Sequence, residues 1–145
     1  MPKVLEIIQS MTRGEIPGPP IGKLIGMRLA KVEEGRATFE MEADERHWNP
    51  MRTLHGGILC DIADGAMGIA FASTLEEGES FTTLELKINF LKPIRKAKLR
   101  AEGRLVKRGR TVGLAECDVF DEGGSLVAHA TSTCMVLRGE QAIDR

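Results

Sequence analysis

The tripeptide His55-Gly56-Gly57 stands directly before a long apolar segment with helical periodicity. The first N–H groups of a helix have no partner within the helix, and the helix dipole is positive at that end. Two glycines leave these groups open to a ligand, so a carbonyl oxygen that becomes negative during a reaction would be stabilised there. A purely structural role is the alternative, with His55 as a polar cap and with glycines that relieve crowding.

Asp64 lies in the middle of the same segment, among Ile, Ala, Gly and Met residues. A buried carboxylate is costly unless it is paired or hydrogen-bonded, so its presence indicates a function unless Asp64 or the nearby Asp61 faces solvent. Asp64 follows His55 by about 13 Å and two and a half turns of helix, which predicts that the two side chains face opposite ways. One ligand could then touch both groups only across two antiparallel copies of the helix, in a symmetric dimer.

Hydrophobic periodicity predicts the elements that position these residues. Residues 4–11 carry one apolar stripe and predict a short helix, which is followed by a proline- and glycine-rich extended linker at 16–20. Residues 27–32 and 37–41 flank a turn and predict a β-hairpin. Segment 56–73 predicts a central helix, and we expect it to be buried on most sides because it has few long polar side chains.

The rest of the chain is predicted to be β-structure. The alternation in 83–90 predicts a half-buried strand, and 99–107, 111–120 and 126–136 continue an antiparallel meander. Small residues on the inner faces suit a sheet that wraps around a bulky element. We therefore predict an α+β fold in one domain over residues 1–145, in which a curved antiparallel sheet encloses one long central helix.

Composition restricts the classes of function. The chain has 145 residues, of which 42% are hydrophobic and 28% charged, as expected for one globular domain. A net charge of −1 argues against the broad basic surface of a nucleic-acid binder. We expect no membrane span and no secretory signal, because no apolar run is long enough or suitably flanked. Three cysteines without a CxxC pair predict reduced thiols in a cytoplasmic protein and no metal site.

A set of motifs, taken in order and spacing, resembles a known family. The set comprises Asn49, His55-Gly56-Gly57, Asp64, Thr83 and Asn89-Phe90-Leu91-Lys92-Pro93. It resembles the hotdog-fold acyl-CoA thioesterases of the phenylacetate-pathway (PaaI-like) type, in the 4-hydroxybenzoyl-CoA thioesterase superfamily, over about residues 26–137. This resemblance implies a homodimer with active sites shared at the subunit interface, often assembled as a dimer of dimers (a homotetramer). It also implies hydrolysis of an acyl- or aryl-CoA thioester to free acid and CoA, without a cofactor.

The resemblance also implies roles for individual residues. Gly56, and with it Gly57, would supply the backbone N–H that polarises the thioester carbonyl, and His55 would fix the helix start. Asp64 of the facing chain would be either the general base that activates water or the nucleophile that attacks directly.

Two further residues complete the implied site. Asn49 and Thr83 would position the water or the thioester. Thr83 stands where related enzymes often carry Ser, so the hydroxyl is kept and a methyl group is added.

CoA carries phosphates, so a local basic group is expected despite the nearly neutral total charge. Arg108, Arg110 and Lys92 are the candidates for this contact, since a guanidinium can bind phosphate through two hydrogen bonds. A solvated charged face is the alternative for each of them.

Two other functions remain open on the same fold. A non-catalytic acyl-CoA binding or sensing protein would have no use for a costly acid in the helix. A hydroxyacyl-thioester dehydratase would use a histidine together with an acid, and His55 is the only well-placed histidine. The sequence does not define the acyl group.

Overall fold

A computed structural model of the protein describes residues 3–143. The helices are α1 (Lys3–Thr12), α2 (Pro20–Ile25) and α3 (Gly56–Ala72), and the strands are β1 (Met27–Glu33), β2 (Arg36–Ala43), β3 (Ser80–Phe90), β4 (Ala97–Arg108), β5 (Val112–Phe120) and β6 (Leu126–Leu137). These strands form one antiparallel sheet in the order β1-β2-β4-β5-β6-β3, and the long helix α3 packs against it. The predicted α+β class, with a curved antiparallel sheet and one long helix, is confirmed.

Small residues let the sheet approach α3 closely. A Cβ atom placed at Gly103 of β4 would lie 2.5 Å from the carbonyl carbon and oxygen of Ala66, so only glycine fits between the strand and the helix backbone. The neighbouring inner positions are equally small and fully buried, for example Ala115 and Cys117 of β5. The predicted packing of a small-residue sheet face around the central helix is therefore confirmed.

One side of α3 is left open in the single chain. Its sheet-facing residues, such as Ile62, Met67 and Phe71, are fully buried. On the opposite side, Gly57, Asp61, Asp64 and Gly65 are partly or fully exposed, and we call these four residues the open stripe of α3. The prediction that α3 is buried on most sides is confirmed, and the open stripe is the side that the single chain leaves uncovered.

Strand β3 does not continue the meander as predicted. It pairs with β6 at the edge of the sheet, whereas β2 pairs with β4. The link that follows β3 is fixed by the backbone N–H groups of Leu91 and Lys92, which both donate to the carbonyl of Val127. Within residues 3–143 the outer edge of β3 has no strand partner. Leu84 and Phe90, which the alternation placed on the apolar face of a half-buried strand, are 53% and 55% exposed.

The N-terminal segment also differs in part from its prediction. Helix α1 exists, but it buries Leu5 and Ile8, while Ile7 of the predicted apolar stripe is 56% exposed. The extended linker ends earlier than expected, because α2 begins at Pro20. Proline is well suited to the first position of a helix, where its missing N–H is not needed.

The cysteines Cys60, Cys117 and Cys134 are free thiols. Burial raises the pKa of the Cys117 thiol to about 12, which keeps it protonated and unreactive. Among residues 3–143, no helix combines the length and the apolar character that crossing a bilayer requires.

Candidate active site

The start of α3 has one open N–H group. His55 is the N-cap, and its Nδ1 accepts a hydrogen bond of 3.0 Å from the backbone N–H of Gly57. The His55 carbonyl accepts from Ile58, 3.0 Å away. The N–H of Gly56 donates to no residue between 3 and 143, so it is the donor that a ligand could use. Of the two predicted glycine donors, only the Gly56 N–H is open within the described residues, and the imidazole of His55 caps the helix start.

The end of β3 closes over this helix start. A Cβ atom at position 56 would lie 2.9 Å from Cζ of Phe90 and 3.0 Å from a second ring atom. Gly56 therefore allows the aromatic ring to rest directly on the helix backbone. The motifs Asn89-Phe90-Leu91-Lys92-Pro93 and His55-Gly56-Gly57, on which the resemblance partly rests, are therefore adjacent in space.

A buried histidine supports the loop before α3. His47 is 7% exposed, its Nδ1 accepts from the N–H of Asp44 at 3.2 Å, and its Nε2 lies 2.7 Å from the carbonyl oxygen of Ile25. In this pattern Nδ1 is the acceptor and Nε2 donates to the Ile25 carbonyl. The His47 carbonyl accepts from the N–H of His55 at 2.9 Å, so the ring and the backbone of His47 together join α2, the loop and the start of α3.

The side chain of Asn49 makes its hydrogen bonds within its own loop. Its Oδ1 accepts from the N–H groups of Met51 and Thr53, at 2.9 and 3.1 Å, and its Nδ2 donates to the Thr53 hydroxyl at 2.9 Å. Side chains of this type commonly stabilise a turn in this way. In the single chain Asn49 therefore organises the loop, and its role towards water or thioester stays a prediction.

The structure brings Asp64 and Thr83 together. The Thr83 hydroxyl on β3 donates to Oδ1 of Asp64 at 3.0 Å, and both residues are partly buried. Asp61, one turn earlier on α3, is exposed and accepts no hydrogen bond from residues 3–143. Burial raises the pKa of the Asp61 carboxyl, and the negative charge of Asp64 raises it further. Of the two acids, only Asp64 is held by a partner.

The orientation predicted for Asp64 needs correction, although its distance does not. His55 has an extended conformation and lies outside α3, so the angle has to be counted from the helix itself. Gly57 and Asp64 are seven residues apart, about two turns, and therefore share one face of α3, in agreement with the open stripe. From Gly56 to Asp64 the helix still rises by about 12 Å.

A cleft of about 440 Å³ opens beside the start of α3. The indole N–H of Trp48 donates to the carbonyl of Arg95 at 2.8 Å, which holds the ring in the wall of the cleft. Neither Asp64 nor Thr83 lines it, so the acid lies outside this cleft, farther along the open stripe of α3. The lining residues are Arg46, His47, Trp48, His55, Gly57, Ile58 and Asp61.

The predicted phosphate ligands are not gathered in one place. Arg108 lies at the far end of α3, where its Nε donates to the Thr74 hydroxyl at 2.8 Å and its guanidinium lies 4.9 Å from the centre of the Phe71 ring. The carbonyl of Arg110 accepts from Arg138 at 2.6 Å. In the single chain these two arginines are near the C-terminal end of α3, remote from Gly56.

Lys92 lies two residues beyond Phe90, whose ring contacts the start of α3. Its ammonium group donates to Oδ2 of Asp121 at 2.5 Å. This contact, together with the backbone N–H of Ser125, lowers the pKa of the Asp121 carboxyl. Lys92 is 43% exposed despite the pair, so its charge faces the solvent near the glycine end.

Comparison with known proteins agrees with this architecture. Residues 51–128, more than half of the chain, match the family model described as thioesterase superfamily. The solved structure of a phenylacetic acid degradation-related protein from Ralstonia eutropha is 34% identical, with a TM-score of 0.80 over 88% of this chain and 97% of that one. Human acyl-coenzyme A thioesterase 13 is 27% identical over 88% of this chain and 90% of its own length. The PaaI protein of Escherichia coli, 20% identical, shares the fold with a TM-score of 0.80 over 90% of this chain and 94% of that one.

Proposed function

Since the chain belongs to the thioesterase superfamily, we propose that it is an acyl-CoA thioesterase that hydrolyses an acyl- or aryl-CoA thioester to free acid and CoA. The observation that carries this function is the hydrogen bond from Thr83 to Asp64, which holds a carboxylate on the same helix face as the glycine end of α3. A mere binding protein would gain nothing from such an acid.

The glycine end would bind the electrophile. The thioester carbonyl would accept a hydrogen bond from the N–H of Gly56, since Gly57 is already used by His55. The positive end of the α3 dipole would stabilise the oxyanion as the carbonyl carbon becomes tetrahedral.

Asp64 would drive the attack in one of two ways. As a general base, it would take a proton from water while the water oxygen bonds to the carbonyl carbon; the C–S bond would then break, and the CoA thiolate would take up a proton. As a nucleophile, the carboxylate would displace the CoA thiolate and form a mixed anhydride, which water would then hydrolyse. Both routes use water as the only co-reactant and no cofactor.

The axial distance within α3 supports a site built from two copies of the chain. A reacting thioester spans a few ångström, whereas Gly56 and Asp64 are separated by about 12 Å along the helix. Two copies packed antiparallel along the open stripe would place Asp64 of one chain against Gly56 of the other, and each dimer would hold two shared sites.

The edge of the sheet supports the same assembly. Among residues 3–143 the outer edge of β3 has no strand partner and exposes Leu84 and Phe90, a surface that isolated proteins usually protect. Thr83 lies on this strand, so pairing there would also bring the acid side of the site to the interface. We propose a homodimer that further associates as a dimer of dimers.

The CoA phosphates and the cellular location complete the proposal. Lys92 is the basic candidate at the glycine end of its own chain, and Arg108 and Arg110 lie at the opposite end of α3. Three free cysteines suit a cytoplasmic protein.

A thiol-release assay over a panel of aryl- and alkyl-CoA esters tests the function. The expected result is catalytic release of free CoA and the corresponding acid. Stoichiometric retention of the ester without thiol release would instead indicate a binding protein. An enoyl thioester formed from a hydroxyacyl-CoA would indicate a dehydratase.

A further inference from the structure

A row of buried hydroxyl and thiol groups leads from the core to Asp64. The Ser132 hydroxyl lies 3.8 Å from Sγ of Cys134, and that sulfur lies 4.0 Å from Oγ1 of Thr83. Thr83 in turn donates to Asp64 at 3.0 Å. Ser132 and Cys134 are both 0% exposed, so water does not compete for these contacts.

Strand register creates this row. Thr83 of β3 is the cross-strand partner of Cys134 of β6, at the last regular pair before the β-bulge at Leu84. Ser132 precedes Cys134 by two residues and therefore lies on the same inner face. The threonine side chain is stiff because it is branched at Cβ, which suits a hydroxyl that must keep one orientation.

The direction of the hydrogen bonds along this row follows from the carboxylate of Asp64 at its end. A carboxylate only accepts hydrogen bonds, so the Thr83 hydroxyl gives its single proton to Asp64. Oγ1 of Thr83 is then left to accept from the Cys134 thiol, whose sulfur accepts in turn from Ser132. Burial raises the pKa of the Cys134 thiol and outweighs the opposing effect of the hydrogen bonds to Ser132 and Thr83, so the thiol keeps the proton that this order requires.

We propose that Cys134 and Ser132 are positioning residues for the hydrolytic reaction, acting through Thr83 to keep its hydroxyl proton directed at Asp64. The inference rests on the proposed function, because it gives Asp64 the attacking role. Neither residue touches the substrate, so their effect is on turnover rather than on substrate binding.

The test is a double-mutant cycle with a matched control. Turnover and KM are measured by thiol release for Cys134→Ala, Thr83→Val and the double variant, with Cys117→Ala as the control. Cys117 is equally buried on the neighbouring strand and does not contact Thr83. Cys134→Val repeats the measurement with an apolar group of similar size, which leaves no cavity.

The expected result is specific to the row. Removing one hydrogen-bond partner in Cys134→Ala lowers kcat by about threefold to tenfold and leaves KM unchanged. Cys117→Ala keeps wild-type kcat, and Cys134→Ala adds no further loss once Thr83→Val is present. Ser132→Ala lowers kcat in the same direction and by a smaller factor.

Two outcomes would overturn the inference: equal effects of Cys134→Ala and Cys117→Ala, or an undiminished effect of Cys134→Ala in the Thr83→Val background. A failure of the proposed function would give a different set of assay results. In that case the wild-type protein releases no thiol, or Asp64→Asn turns over normally, whatever residue 134 is.

Discussion

Replacing Asp64 with Asn removes the charge and keeps the shape of the side chain. The amide oxygen can still accept the 3.0 Å hydrogen bond from Thr83, so the fold and assembly should be preserved. A positioned general base typically contributes 10²- to 10⁴-fold in rate, so we expect kcat to fall by about that factor, or about 3–5 kcal/mol of transition-state stabilisation.

Thr83→Val extends the same prediction. Valine matches threonine in shape and lacks the hydroxyl, so the variant loses one hydrogen bond to a charged group. Such bonds contribute about 1.5–3 kcal/mol, which corresponds to a loss of about 10- to 150-fold in kcat. In the Asp64→Asn background the same change should cost much less, because no carboxylate remains to be oriented.

Asp61→Asn is the matched control. Asp61 lies one turn earlier on the open stripe, is more exposed and accepts no hydrogen bond from the described residues. Its replacement should leave kcat close to the wild-type value. All variants are assayed by thiol release, with melting temperature and size-exclusion elution confirming the assembled state. Near-normal turnover by Asp64→Asn, or a greater loss in Asp61→Asn, would refute the assignment.

Three further outcomes follow from the structure. The pKa of the Asp61 carboxyl is raised in the folded chain, so ionisation of Asp61 destabilises the fold at higher pH. Asp61→Asn should therefore melt at a higher temperature than wild type at pH 8, and the difference should vanish below the ordinary carboxyl pKa of 3.8. A scanning-fluorimetry pH series measures both. Gly103→Ala should lower the free energy of unfolding by about 3 kcal/mol in urea titration, since its Cβ meets the Ala66 backbone at 2.5 Å. Lys92→Met should raise KM for CoA thioesters and leave KM unchanged for N-acetylcysteamine thioesters, which lack the phosphates; equal changes for both would remove Lys92 from CoA binding.

Local patterns predicted the elements that are specified by nearby residues. The β1–β2 hairpin and α3 follow from alternation, glycine turns and helical spacing, and the structure has them within a few residues of their expected ends. The same holds for the small inner face of β6, where Ala128, Ala130 and Ser132 are buried as expected.

Long-range pairing was not predictable from local patterns. Alternation in β3 is the same whether the strand lies in the middle of a sheet or at its edge, so its place beside β6 and the exposure of Leu84 could not be read from it. The contact of Thr83 with Asp64 depends on that placement, and the resemblance implied only that Thr83 would position the water or the thioester.

The hydrogen bonds that side chains make within the loops could not be predicted either. The turn made by Asn49 and the buried ring of His47 depend on backbone groups that no residue pattern specifies. The orientation of Asp64 was mispredicted for a simpler reason: the angle was counted from His55, which lies outside the helix.

The claim that each active site is shared by two chains is tested most directly with hybrid dimers. One chain carries Asp64→Asn, and the other carries Gly56→Pro, which removes the open N–H at a helix position that favours proline. The exposed ring of Phe90 can move to admit the new side chain. Each variant alone should be inactive, and two different affinity tags allow the hybrid to be purified.

In a shared arrangement, one site of the hybrid has both defects and the other has none. The hybrid should therefore show about half of the wild-type specific activity in the thiol-release assay. If Gly56 and Asp64 of the same chain formed each site, both sites would carry a defect, and an inactive hybrid would contradict the account.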